Sequence, residues 1–187
     1  MPDRPRRRPA SGEAMTTIVR AATSADRDAI LAVVRDAFSK DGGDGREEVD
    51  IVTATWSLGR LPAGIELVAT RDDALVGHVL AAFGALGDRP VLGVAPLSVA
   101  PTRQGQGIGS ALMTEVLSRA EEARCPLVVV LGDPAYYGRF GFEPAGPLGI
   151  EYRPVGADNP AFQVRRLASY DPSCRGAFTY CWESSPA

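Results

Sequence analysis

Three glycines crowd into five residues in the segment Arg103-Gln104-Gly105-Gln106-Gly107-Ile108-Gly109-Ser110. An apolar stretch ends just before it at Ala100, and an amphipathic stretch follows with Leu112, Val116, Leu117 and Ala120 on one face. A strand must therefore turn sharply into a helix here, through backbone that can approach a ligand closely and aim several N–H groups inward. The helix start adds the positive end of its dipole, so the loop suits a diphosphate. The competing reading is a tight turn with no ligand. Two familiar phosphate loops do not fit. The dinucleotide pattern GxGxxG fails at Ser110, and a P-loop needs a lysine, whereas Lys40 is the only lysine in the chain.

Around this loop the patterning alternates between sheet and helix. Residues 18–20 form a short strand, and Thr23-Ser24-Ala25-Asp26 is a helix start leading into Ile30, Val33, Val34 and Phe38. Asp41-Gly42-Gly43-Asp44-Gly45 interrupts the chain before a second helix marked by Val49, Val52 and Trp56. Residues 65–71 and 74–84, joined by Asp72-Asp73, read as a hairpin, and 91–100 as a third long strand. The loop and a helix over 110–124 follow. Residues 126–131 are wholly apolar, as in a strand buried on both faces. A short helix near 134–139 precedes strands at 140–143, 162–167 and 177–182. This order predicts an α/β fold in one domain over residues 16–187, preceded by a basic lead-in (1–15) whose Arg- and Pro-rich composition is that of a disordered segment.

Composition narrows the chemistry. With 187 residues, 45% of them hydrophobic, the chain can bury roughly 70% of its unfolded surface without disulfides or metal. No apolar stretch approaches the ~20 residues that span a bilayer, so no membrane partner is expected. A net charge of −3 argues against nucleic acid as a partner. His78 is the only histidine, which excludes His-rich zinc sites, and no metal is expected. Cys125, Cys174 and Cys181 are odd in number and form no CxxC pair, as expected of reduced thiols in a cytoplasmic protein. The Pro-Ser-Cys-Arg-Gly turn is compatible with exposure of Cys174, whereas Cys125 reads as a small buried residue.

Two motifs together resemble a known family. Leu97-Ser98-Val99, Pro101 and Gln104-x-x-Gly107-x-Gly109 resemble the central Q/R-x-x-G-x-G/A motif of the GNAT superfamily of N-acetyltransferases. Downstream, Gly132-Asp133-Pro134-x-Tyr136-Tyr137-x-Arg139-Phe140-Gly141-Phe142 is similar to one bacterial branch of predicted acetyltransferases. The resemblance spans about residues 16–145 and implies a mixed, mostly antiparallel sheet of about seven strands flanked by about four helices. It implies acetyl-CoA as co-substrate and a primary amine as acceptor, attacked directly without a nucleophilic residue. Gln104, Gly105, Gln106, Gly107, Ile108, Gly109 and Ser110 would bind the pyrophosphate. Leu97, Ser98 and Val99 would pair with the pantetheine arm and stabilise the oxyanion. Tyr137 would protonate the departing thiolate, and Tyr136 would lie beside the cofactor's arm. An ordinary phenol, near pKa ~10, is a weaker acid than a thiol near ~8.5, so that role needs charge developing on sulfur or surroundings that lower the phenol.

A general base is less defined. His78 has a suitable imidazole but sits in an apolar strand, the usual setting of a hydrogen-bonded core histidine. Glu47, Glu48 and Asp50 open the second helix, which borders the acceptor cleft in the family, and they equally suit a solvated helix start. Trp56 and Phe38 read as core. Two other classes stay open: a non-catalytic coenzyme A-binding module, and an interaction factor acting through the arginine-rich start. Relatives often dimerise through late strands, and the apolar stretch 177–182 would permit a homodimer.

Overall fold

The computed structural model describes residues 16–39, 43–59, 61, 65–156 and 158–183. The basic lead-in lies outside them. Strand β1 (Ile18–Ala21) leads into α1 (Arg27–Phe38) and α2 (Arg46–Leu58). Strands β2 (Leu67–Arg71), β3 (Ala74–Leu86) and β4 (Arg89–Val99) then form an antiparallel meander beside β1. Helix α3 (Ile108–Glu122) crosses over to β5 (Leu127–Leu131), which runs parallel to β4. The four-residue α4 (Pro134–Tyr137) follows, then β6 (Glu143–Pro144), β7 (Ile150–Glu151), β8 (Phe162–Arg166) and β9 (Gly176–Thr179).

The sheet runs β1-β2-β3-β4-β5-β8-β6, the expected seven strands, with β9 attached to the end of β3 and β7 to β9. Only β4–β5 and β7–β9 are parallel among the pairs described. Ile30, Val34, Val49 and Val52 of α1 and α2 pack with Val68 and Leu80 on one face. On the other, α3 seats Leu112, Met113, Val116 and Ala120 against Ala69, Ala81, Val94 and Val128. Strand β5 divides its side chains, Val128 and Val130 toward α3 and Leu127 and Val129 toward a third cluster around Phe162, Phe178 and Tyr180. That is the two-sided burial its apolar sequence predicts.

Several expectations are corrected. Helix α3 begins at Ile108, because Gly107 takes the left-handed conformation (φ 81°) that ends the loop. Residues 138–140 form a 3₁₀ turn closed by a left-handed Gly141, and only Glu143 and Pro144 are strand. The expected strand over 177–182 stops at Thr179, and 181–183 turn. Cys174 is fully buried in the third cluster.

The entry to α1 is fastened by charge. Both guanidinium nitrogens of Arg20 donate to Asp26 (2.8 and 2.7 Å), and the Thr23 N–H and hydroxyl donate to the same carboxylate (2.8 Å each). The Arg20 hydrogen bonds hold the Asp26 carboxyl far below its usual range. A depressed carboxyl stabilises the fold above its unfolded pKa of ~3.9 and ceases to as pH falls through the folded value. Asp26→Asn is therefore expected to cost about 1–2 kcal/mol at pH 7. The gap between wild type and variant in urea midpoint should shrink at pH 3.

Candidate active site

The site begins at an irregularity in β4. Against β3, Leu97 pairs with Val79 and Val94 with Ala81, so Ala95 and Pro96 together face the single residue Leu80. This is a β-bulge, and it bends the strand that carries it. The Ala95–Pro96 peptide in it is cis. Pairing between β4 and β5 runs through Leu92–Val128, Gly93–Val129 and Val94–Val130 and ends there, at the bulge. Beyond it, Leu97, Ser98 and Val99 remain paired to β3 on one edge while β5 diverges on the other.

Below this opening sits the glycine loop. Gly105 and Gly107 both have positive φ (74° and 81°), and a side chain built on either would meet nothing within 4 Å. Their smallness thus serves the backbone turn and leaves open space above it. The first-turn N–H groups of α3 have no carbonyl within the helix and point into that space. Gln104 Nε2 donates to the Val99 carbonyl (3.1 Å), tying loop to strand. Gln106 turns outward, accepting from Arg71 Nη1 (2.6 Å) and donating to the Thr102 carbonyl (3.2 Å).

The two tyrosines of α4 serve different walls. Asp133 caps the helix by accepting from the Ala135 N–H (2.9 Å). The Tyr136 hydroxyl lies against Gly109, where a Cβ would be 2.6 Å away, and Arg139 lies over the Tyr136 ring at 4.5 Å. The Tyr137 ring packs edge-on against Tyr136 (5.0 Å) and Phe142 (5.7 Å) and covers Gly132, where no side chain would fit. Burial, then the neighbouring Tyr136, push the Tyr137 phenol well up from its ordinary value. The surroundings thus raise the phenol rather than lower it.

One cavity of about 1260 Å³ joins these parts. Of the residues singled out in the sequence, it is lined by Leu97, Val99, Gln104, Gly105, Gly107, Ile108, Gly109, Ser110, Tyr136 and Tyr137. Ser98 and Gln106 are not on its wall. The Ser98 side chain is buried on the opposite face of β4, across from His78 in register. His78 is fully buried as well, with Nε2 3.1 Å from Glu66 Oε1, an oxygen that also accepts from Trp56 Nε1 (2.7 Å). The histidine is therefore a core residue with no side-chain surface on the cavity. Glu47, Glu48 and Asp50 all line it, as does Phe38, which the helical spacing had assigned to the core.

Sequence reasoning missed Arg103, Arg139, Tyr180, Trp182 and Glu183 on this wall, and left Tyr152 among several residues of an irregular segment. The Tyr152 hydroxyl donates to Glu183, whose other oxygen accepts from the Tyr180 N–H (2.9 Å). The signal for these was the clustering of Tyr180, Trp182 and Glu183 at the chain's end, where alternation alone suggested a strand.

Known proteins share this arrangement. A family model described as an acetyltransferase (GNAT) domain matches residues 18–145. The chain is 36% identical over 156 residues to the uncharacterized N-acetyltransferase YhbS of Escherichia coli K12, covering 81% of this chain and 87% of that protein. The crystal structure of E. coli YhbS in complex with CoA is similar at a TM-score of 0.77 and 31% identity, over 91% of this chain and 92% of that one. A GNAT family acetyltransferase from Brucella melitensis, in complex with acetyl-CoA, is similar at a TM-score of 0.71 and 28% identity, over 89% and 96% of the two chains.

Proposed function

The chain belongs to the GNAT family of N-acetyltransferases, and we propose that its cavity brings acetyl-CoA and a primary amine together for direct transfer, with Tyr137 as general acid. The observation that carries this reading is the single cavity linking a helix N-terminus, the unpaired edge of β4 and a buried tyrosine. The donor supplies an acetyl group already activated as a thioester. The α3 N-terminus and the glycine loop would hold its diphosphate, with Arg103 and Arg139 on the same wall adding positive charge. The free edge at Leu97, Ser98 and Val99 would take the pantetheine arm as an added strand. Gln106 would serve through backbone, since its side chain lies elsewhere, and Ser98, paired with His78 of β3, would hold Leu97 and Val99 in place along the edge.

The amine nitrogen attacks the carbonyl carbon, the C–S bond breaks, and the sulfur takes a proton. Tyr137, on the same cavity wall, would give it. The phenol stays neutral past its ordinary ionisation range, so it is always in the donating form. Among the described residues the cavity wall shows no histidine, and the amine's proton would leave through water. No helix among the described residues is long and apolar enough to cross a membrane.

Calorimetric titration with acetyl-CoA, dephospho-CoA and NAD tests the donor assignment, followed by thiol release with an amine panel. Micromolar acetyl-CoA binding without NAD binding is expected. Absence of acetyl-CoA binding would overturn it. Binding with no turnover of any amine would favour a coenzyme A-binding module instead.

A further inference from the structure

The cavity's cations and most of its carboxylates come from different walls. Its cations, Arg103 and Arg139, belong to the glycine loop and to the segment after α4, where Arg139 Nε donates to the Tyr136 carbonyl (3.1 Å). One lining carboxylate, Asp133, caps α4 beside these cations, and the other four gather elsewhere. Glu47, Glu48 and Asp50 project from the first two turns of α2, and Glu183 from the turn that packs on α2, where Thr55 Oγ1 lies 4.0 Å from Cys181 Sγ. None of the three α2 carboxylates takes part in an ion pair described in the structure.

Between these carboxylates and the opening stands an aromatic wall that carries one buried hydroxyl. Tyr180 is 3% exposed and lines the cavity; its hydroxyl oxygen faces the backbone of Leu131, and no acceptor for its own proton is found among the described residues. Its ring is seated on Gly93 of β4, where a Cβ would fall 2.7 Å from Cε1, so the absence of a side chain at 93 lets the phenol reach the point where β4 and β5 part. Trp182 stacks on it at 4.3 Å and 20°, and Tyr152 meets it edge-on at 5.4 Å. A buried hydroxyl proton left without an acceptor is costly, and a ligand nitrogen that accepts it would offset that cost.

The geometry points to an acceptor with two cationic nitrogens joined by an apolar chain: a diamine or polyamine whose reacting amine meets the Tyr180 hydroxyl at the opening while its second ammonium is held by Glu47, Glu48, Asp50 and Glu183. This rests on the transferase reading above. A single ammonium held by four carboxylates would be kept protonated and unreactive, because nearby negative charge favours the charged form. The carboxylates therefore serve a nitrogen that does not react. The aromatic faces of Trp182 and Tyr152 suit the connecting methylenes and attract the cation itself. An acceptor bearing a carboxylate in place of the second amine would face like charge on every side of that wall. The Tyr152 phenol already registers this field: after burial and its hydrogen bond to Glu183, the charges of Glu183 and Glu47 push it further up.

The test compares 1,4-diaminobutane, n-butylamine and 4-aminobutyrate, with spermidine and longer diamines added, by thiol release from acetyl-CoA. The diamines are expected to exceed butylamine in kcat/KM by about tenfold or more, and 4-aminobutyrate to fall below it. The diamine preference should weaken as salt is raised to 0.5 M, where charges are screened over a few ångströms. In the triple variant Glu47→Gln, Glu48→Gln, Asp50→Asn the ratio of diamine to butylamine should drop toward one, with acetyl-CoA affinity by calorimetry unchanged. Equal kcat/KM across the panel, a preference for 4-aminobutyrate, or no turnover of any diamine while acetyl-CoA still binds would each overturn the proposal. Failure of wild type to bind acetyl-CoA would instead overturn the transferase reading itself.

Discussion

Tyr137→Phe is expected to lower kcat by about 10²–10⁴ while leaving acetyl-CoA affinity unchanged. The ring contacts with Tyr136, Phe142 and Gly132 survive the change, so the fold and the donor site are preserved and only the hydroxyl is lost. The direction of the pKa matters here. Burial raises the phenol, which makes it a still weaker acid toward an ordinary thiol. The same water-poor surroundings also penalise a bare thiolate, so a proton passes from oxygen to sulfur as the C–S bond breaks, not before. Two readouts separate this role from packing. The kcat/KM profile of wild type should show no alkaline fall attributable to Tyr137 up to about pH 10, since the raised phenol remains protonated there. An undiminished kcat in Tyr137→Phe would reduce the residue to a packed ring.

Gly107→Glu is expected to weaken acetyl-CoA binding by about 100-fold or more. Position 107 has φ 81° and empty space where a side chain would project, so a substitution is strained but not blocked. Strain alone, of order 1–3 kcal/mol, falls on the folded state whether or not a ligand is present. A carboxylate there adds repulsion toward the diphosphate and cancels the field of the helix start. Gly107→Gln separates the causes, having the size and the strain without the charge. Calorimetry should show the Gln variant binding more tightly than the Glu variant, with both giving the same far-UV circular dichroism as wild type. Equal affinities in wild type and Gly107→Glu would mean that the diphosphate does not lie at the α3 start.

The glycine-loop end of the cavity was legible because it is local. Residues 97–110 and 132–142 carry strand end, turn and helix start in two short stretches, and the spacing of their glycines and tyrosines follows from backbone needs. The opposite end is assembled from α2, Tyr152 and residues 180–183, more than 100 positions apart at the extremes, and no local pattern announces it. The chain's end shows how alternation misleads. Phe178, Tyr180 and Trp182 repeat every second residue, the signature of a strand, yet pairing stops at Thr179. Glu183 accepts the Tyr180 N–H, and its own N–H returns to the Tyr180 carbonyl at 3.2 Å. This local closure competes with the ladder and wins. At 140–143, apolar residues suggested a strand, but Gly141 permits a left-handed turn that drops Phe142 into the core.

The bulge in β4 reaches further than local geometry. By parting β4 from β5 it forgoes ladder hydrogen bonds that a continuous strand pair would make, each worth about 0.5–1.5 kcal/mol net. The free protein is in that sense an unfinished sheet, and a ligand that lies along the edge completes it. Its melting temperature should then climb with donor concentration, a hundredfold excess over Kd adding about 2.7 kcal/mol of stability. Deleting one of the two bulge residues would let the strands close like a zipper. The product should be a hardier protein that no longer opens for its substrate.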